Sequence, residues 1–148
     1  MVNKKIVTIF LLLFLITSTI SCVYADDDDR SYSITQALVD IIVDTNGMLH
    51  INETFDYSFD GTFNGVYRDI PLKEGESISN IHVSAEGAYT KVEQHQEDGT
   101  QHIKIYLYSD AAKTQPISDT NVKVHISYDM KNVVTVYQDT ASLQYQLW

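Results

Sequence analysis

From Leu49 to Phe59 the chain changes sides at every residue. Leu49, Ile51, Phe55, Tyr57 and Phe59 share one parity, and His50, Asn52, Thr54, Asp56 and Ser58 share the other. A period of two puts successive side chains on opposite faces of an extended strand, whereas a helix repeats every 3.6 residues. A strand with one apolar face needs a neighbour on its edge and a second layer over that face. The neighbour is signalled just upstream, because Asn46-Gly47 tolerates positive φ and is the strongest short hairpin signal. The partner strand is Tyr32 to Asp44, with Ile34, Leu38 and Ile42 on one face and Val39, Ile41 and Val43 on the other. A helix would explain Ile34, Leu38 and Ile42 equally well, and the density of Val and Ile after Leu38 decides for a strand.

The same alternation runs through most of the chain beyond Phe59. Val66 to Ile70 reads as a short extended piece stopped by Pro71, after a long turn marked by Asp60-Gly61 and Asn64-Gly65. Ile78 to Ala85 is a strand with Ile81, Val83 and Ala85 on one face. Tyr89 to Gln96 and Gln101 to Tyr108 form a second hairpin around Asp98-Gly99, with Ile103, Ile105 and Leu107 inward. After a loop containing Pro116, Val122 to Tyr128 is a strand with Val122, Val124, Ile126 and Tyr128 inward. Val133 to Tyr137 is a short strand, and Ala141 to Trp148 alternates again. About seven or eight short strands with regularly spaced turns predict an all-β, antiparallel β-sandwich, immunoglobulin-like in the broad sense. The Cys…Trp…Cys signature of true immunoglobulins is absent. The last pattern reaches Trp148 without a stop signal, which predicts a chain that continues into a longer protein and an unpaired sheet edge near Leu143 to Trp148.

The amino terminus sets the address. Lys4 and Lys5 precede an apolar run from Ile9 to Ile16, and Val23-Tyr24-Ala25 offers a small-residue exit. That is the layout of a secretory signal peptide with cleavage after Ala25. Asp26 to Asp29 come at once after it, and the apolar run is shorter than the roughly 20 residues that span a bilayer. Residues 1–25 are thus read as signal peptide, 26–31 as an acidic leader and 32–148 as one extracytoplasmic domain. Cys22 is the only cysteine, so the secreted domain has no disulfide and relies on its core. A lipid-bearing Cys22 is the alternative, which Thr19-Ile20 fit poorly. The whole chain carries −10; without residues 1–25, which hold two lysines and no acid, the charge is −12. Such a surface repels phosphate backbones, so nucleic acid is an unsuitable partner.

Residues with chemical potential are few. No Gly-rich phosphate loop, nucleophile elbow or metal-spaced histidine pair is present, and no cofactor or metal site is expected. His50, His82, His102 and His125 fall on the polar sides of their strands, where solvated histidines are common. Asp26 to Asp29 lack the spacing of a calcium loop. Asn52-Glu53-Thr54 is a glycosylation sequon with Asn52 on the polar face. Tyr57 and Tyr128 read as core, while Tyr106 and Tyr108 point outward and are candidates for a ligand surface. Glu53 is the anomaly, lying on the apolar face between Ile51 and Phe55. A buried carboxylate needs a cationic or hydrogen-bonding partner. Arg68 is the nearest arginine in sequence, which predicts a shielded ion pair that fixes strand register.

Taken together, Asp44, Gly47, Ile51, Glu53, Tyr57, Phe59, Gly61, Phe63, Tyr67-Arg68 and Ile70-Pro71 resemble the opening of a family of predicted membrane proteins, domain of unknown function 2207. A second segment is similar as well, through Tyr128, Lys131-Asn132, Val134, Tyr137, Asp139, Ala141 and Leu143. The resemblance covers most of 32–148, apart from about Ala85 to Asn121. It implies a signal peptide, an extracytoplasmic β-rich domain, then membrane helices and a low-complexity tail. It implies no catalytic residue, and it puts Glu53 and Arg68 on motif positions. The expectation is a non-enzymatic extracytoplasmic domain of a membrane-anchored protein, for contact, sensing or assembly with a protein or glycan partner. The alternative is a secreted carbohydrate- or cation-binding module.

Overall fold

The computed structural model of the chain describes residues 30–143 and 145. The signal-peptide reading, Cys22 and Asp26 to Asp29 therefore lie outside the described residues. The described part is all-β and antiparallel. Its elements are β1 (Ser31–Val43), β2 (Leu49–Asp60), β3 (Thr62–Phe63), β4 (Gly65–Pro71), β5 (Ser77–Glu86), β6 (Tyr89–Glu97), β7 (Thr100–Tyr108), β8 (Ile117–Ser118), β9 (Asn121–Lys131), β10 (Val134–Val136) and β11 (Ala141–Leu143). The expectation of seven or eight strands is corrected to eleven. The pieces that sequence reasoning did not find are β3 and β8, two residues each and too short for a period to show, which pair with each other. β10 and β11, which pair as well, fall within the expected stretches Val133 to Tyr137 and Ala141 to Trp148.

Two larger sheets carry the architecture. One has four strands in the order β1-β2-β9-β5, and the other has three in the order β4-β7-β6. Their inner faces form one core in a sandwich-like arrangement. Leu49, Ile51, Phe55 and Phe59 of β2 and Val122, Val124, Ile126, Tyr128 and Met130 of β9 meet Ile70 of β4 and Ile103, Ile105 and Leu107 of β7. Burial alternates strictly along β2, β7 and β9, as the period-two pattern requires. Asp44 closes the first hairpin by accepting the amides of Asn46 and Met48, at 2.8 and 2.9 Å. Asp98 (φ 48°) and Gly99 (φ 72°) turn the second, both in the left-handed region that a tight two-residue hairpin demands.

β1 forms as expected, with apolar residues on both faces, and Ile34, Leu38, Ile42 and Val43 are all exposed, Ile42 at 61%. β1 is the edge of its sheet, and only Val39 and Ile41 pack on the core. A bulge between Ile34 and Gln36 shifts the parity and turns Tyr32 and Ile34 toward Tyr57 and Phe59. The strand begins at Ser31, and the neighbouring Arg30 guanidinium sits 5.6 Å from the Phe63 ring. At the other end, β11 is exposed throughout.

Candidate functional site: a buried carboxylate cluster and an outward tyrosine–lysine cleft

Glu53 occupies the middle of β2, with Val39 and Ile126 as its ladder partners. Parity turns it inward, where it is 1% exposed. Arg68 occupies the same inward parity on β4, in the opposite sheet, and is 8% exposed. The two meet across the core in a fork. Arg68 Nε donates to Glu53 Oε2 at 2.8 Å and Nη2 to Oε1 at 2.7 Å, while Nη1 donates to the Asp69 carbonyl at 2.7 Å. Parallel charge-assisted bonds of this kind fix orientation as well as distance. Burial opposes the Arg68 charge, but the bonds and field of Glu53 outweigh it and hold its pKa above the ordinary value.

Two tyrosines complete the cluster. Tyr128 of β9 donates to Glu53 Oε1 at 3.0 Å, and Tyr145 donates to the same oxygen at 2.8 Å. The two hydroxyls are also in hydrogen-bond contact with each other. Two hydroxyl protons thus serve three contacts, so one hydroxyl always donates to the carboxylate while the other chooses between carboxylate and neighbour. Burial, reinforced by the Glu53 charge, raises the Tyr128 pKa. Burial likewise pushes Tyr145 up to about 12. Among the described residues no buried side-chain polar atom lacks a partner. Tyr145 is the member that sequence reasoning missed. Its only signal was the alternation of the last stretch, which says nothing about where that stretch docks.

The outward faces are polar. On the four-stranded sheet, Asp129 accepts from Asn80 at 2.6 Å and is 2.7 Å from His50 Nδ1, and these contacts hold its carboxyl below the usual carboxylate range. Asn52 is exposed on that face, beside Asp40 and Ser127. His82 is exposed there too. Thr54, His125 and Glu86 line up across β2, β9 and β5, with contacts of 3.1 and 3.3 Å. The order of groups resembles a nucleophile, base and orienting acid. However, Thr54 lies mid-strand between two paired neighbours, and the ladders engage the backbone on both sides. No pair of free amides is left beside its hydroxyl to receive an oxyanion. The row is a cross-strand polar ladder.

On the three-stranded sheet the outward rows are different. Pairing sets Asp69, His102 and His95 in one row, Tyr67, Lys104 and Glu93 in the next, then Gly65, Tyr106 and Lys91, then Tyr108 and Tyr89. Tyr106 and Tyr108 lie nearly parallel, their centroids 6.5 Å apart. Lys104 Nζ sits 4.5 Å from the centroid of Tyr106 and 5.5 Å from that of Tyr67. Tyr106 donates to Glu93 at 3.0 Å. Gly65 leaves a gap in this face opposite Tyr106. Its φ is +151°, and a Cβ there would lie 2.0 Å from the Ile105 carbonyl oxygen, so no side chain can fill the gap. The result is a cleft of about 480 Å³ lined by Arg30, Phe63, Asn64, Gly65, Val66, Tyr67, Lys104, Ile105, Tyr106 and Tyr108. The structure thus joins Tyr106 and Tyr108 to Tyr67, Lys104 and Arg30, which sequence reasoning did not place beside them. Among the described residues no cluster of three or more His, Cys, Asp or Glu could hold a metal ion.

The family model described as the predicted membrane protein (DUF2207) N-terminal domain matches residues 33–148. This chain belongs to that family. The match includes β2, β4, β9 and Tyr145, and so the whole Glu53–Arg68 cluster, as well as most of the residues that line the cleft. No curated protein and no solved structure matches the chain. Among the described residues, no helix is long and apolar enough to cross a membrane.

Proposed function

We propose that this domain is a non-enzymatic, extracytoplasmic module of a longer membrane-anchored protein, serving contact, sensing or assembly. The family description supports the association with a membrane protein. The signal layout of residues 1–25 supports the side of the membrane. The observation that carries the non-enzymatic reading is the state of Glu53. It is the one carboxylate buried among the described residues, and Arg68, Tyr128 and Tyr145 occupy it. A carboxylate held by these donors and shielded from solvent is a structural anion, whereas a general base must come within hydrogen-bond reach of its substrate.

Sidedness is tested with one introduced thiol in the full-length protein. Cys22→Ser removes the one cysteine of residues 1–148, any other in the full-length protein is likewise replaced by Ser, and Glu97→Cys places a thiol beside the exposed β6–β7 turn. A membrane-impermeant maleimide applied to intact cells should label the protein, and the labelled band should sediment with membranes. Labelling only after lysis overturns the extracytoplasmic reading. Labelled protein free in the medium overturns the anchored one.

A further inference from the structure

The cleft beside Gly65 has the wrong charge for its surroundings. The chain has twice as many acidic as basic residues, 20 against 10, yet among the described residues the cleft lining contains Arg30 and Lys104 and no carboxylate; Glu93, at its rim, is taken up by Tyr106 and Lys91. Its volume falls in the range of small-ligand pockets. Lys104 is held in place against the rings of Tyr67 and Tyr106. Contacts with these two tyrosines raise its pKa, so it stays a cation at any physiological pH. Tyr67 is 66% exposed and leaves ring surface open to solvent. Pre-placed cations, phenolic hydroxyls and an open aromatic face together suit one kind of guest: a sugar ring that carries an acid group.

We infer that the cleft lined by Tyr67, Lys104, Tyr106, Tyr108 and Arg30 binds an acidic saccharide of one or two residues. The carboxylate pairs with Lys104, and the ring packs over the gap left by Gly65 against Tyr67 and Tyr108. Charge complementarity favours the acid over its neutral counterpart. The strong negative charge of the rest of the domain disfavours a long polyanion, which would run beyond the cationic lining. This inference rests on the extracytoplasmic reading, since acidic glycans are cell-surface and extracellular material. Its test is independent of thiol labelling, which reports side and not ligand.

The test is calorimetric titration of the full chain with a uronic-acid disaccharide, the matched neutral disaccharide and inorganic phosphate. The uronate disaccharide should bind, with affinity falling as salt is raised. Lys104→Met should weaken it at least about tenfold and Tyr67→Ala several-fold, each with an unchanged melting temperature, because both side chains point away from the core. The neutral disaccharide and phosphate should each bind at least about tenfold more weakly. Absence of uronate binding, equal binding of the neutral disaccharide or of phosphate, or full affinity in both variants overturns the inference.

Discussion

Tyr145 and Glu53 lie ninety-two residues apart and share a hydrogen bond of 2.8 Å inside the sandwich. The bond ties Tyr145, two residues after β11, to the middle of β2. Hydrogen bonds to charged groups contribute about 1.5–3 kcal/mol, and here Tyr128 remains to serve the same oxygen. Tyr145→Phe should therefore cost about 1 kcal/mol in urea unfolding. It should also make the segment after Thr140 more sensitive to protease, with the core strands unaffected.

The two charges across the core are unequal when removed. Arg68→Ala strands the Glu53 anion and should cost about 3–5 kcal/mol. Glu53→Gln leaves the Arg68 cation without its counter-charge, but it should cost less, since the amide oxygen still accepts one guanidinium bond and Arg68 keeps the Asp69 carbonyl. A double Glu53→Met, Arg68→Met variant should be more stable than Arg68→Ala alone, because it buries no unpaired charge and Tyr128 and Tyr145 can still bond each other. Equilibrium unfolding of the three variants orders them.

Alkali should loosen the fold over a definite window. Burial raises Tyr57 and Tyr145 to about 12 in the folded protein, against 10.0 in the free side chain. Between these values the unfolded state has released protons that the folded state keeps, so stability falls as pH rises. The contribution is complete below pH 10 and lost as pH climbs through about 12. Unfolding free energies measured across this range should decline, and Tyr145→Phe should flatten the decline. Phenolate absorbance should show at least two tyrosines titrating late.

Gly65 should tolerate no side chain. Gly65→Ala drives a Cβ into the Ile105 carbonyl from a backbone angle that alanine rarely adopts, so β4 must shift from β7. A loss of at least about 2 kcal/mol is expected. A melting temperature equal to that of the parent would contradict the geometry.

β1 offers solvent a long apolar edge, with Leu38 at 50% and Ile42 at 61% exposure. One charge, Asp40, lies between them on that face, and an edge with so little charge invites pairing with other chains. Leu38→Lys with Ile42→Lys should leave stability within about 0.5 kcal/mol per site and reduce aggregation in light scattering at high concentration. A large loss of stability would mean that this face is covered.

The strands whose parity governs the core were legible from residue order alone. β2, β7 and β9 alternate strictly, and Asn46-Gly47 and Asp98-Gly99 mark the turns where the chain reverses. Parity also turned Glu53 inward, because one charged residue in an apolar row has nowhere else to point. Parity cannot tell an edge from a centre, so the apolar residues of β1 did not say that the strand lies at the rim of its sheet. Nor can it reveal which distant strands meet. Tyr67 joins Lys104 only because β4 pairs with β7, and no local pattern in either strand encodes that pairing. Arg30 escaped notice for a related reason: it comes after an acidic run and looked like part of it, yet it stacks on Phe63.

The place of β9 between β2 and β5 has a temporal consequence. A nascent chain makes β2 and β5 long before it makes the strand that separates them. Until residue 131 has emerged, both carry an unpaired edge and an uncovered apolar face, and the long-range closure that joins them is intrinsically slow. Premature contact of β2 with β5 would exclude β9 and trap the chain. Productive folding therefore waits for β9, and whatever keeps the chain extended until residue 131 is available guards it against that trap.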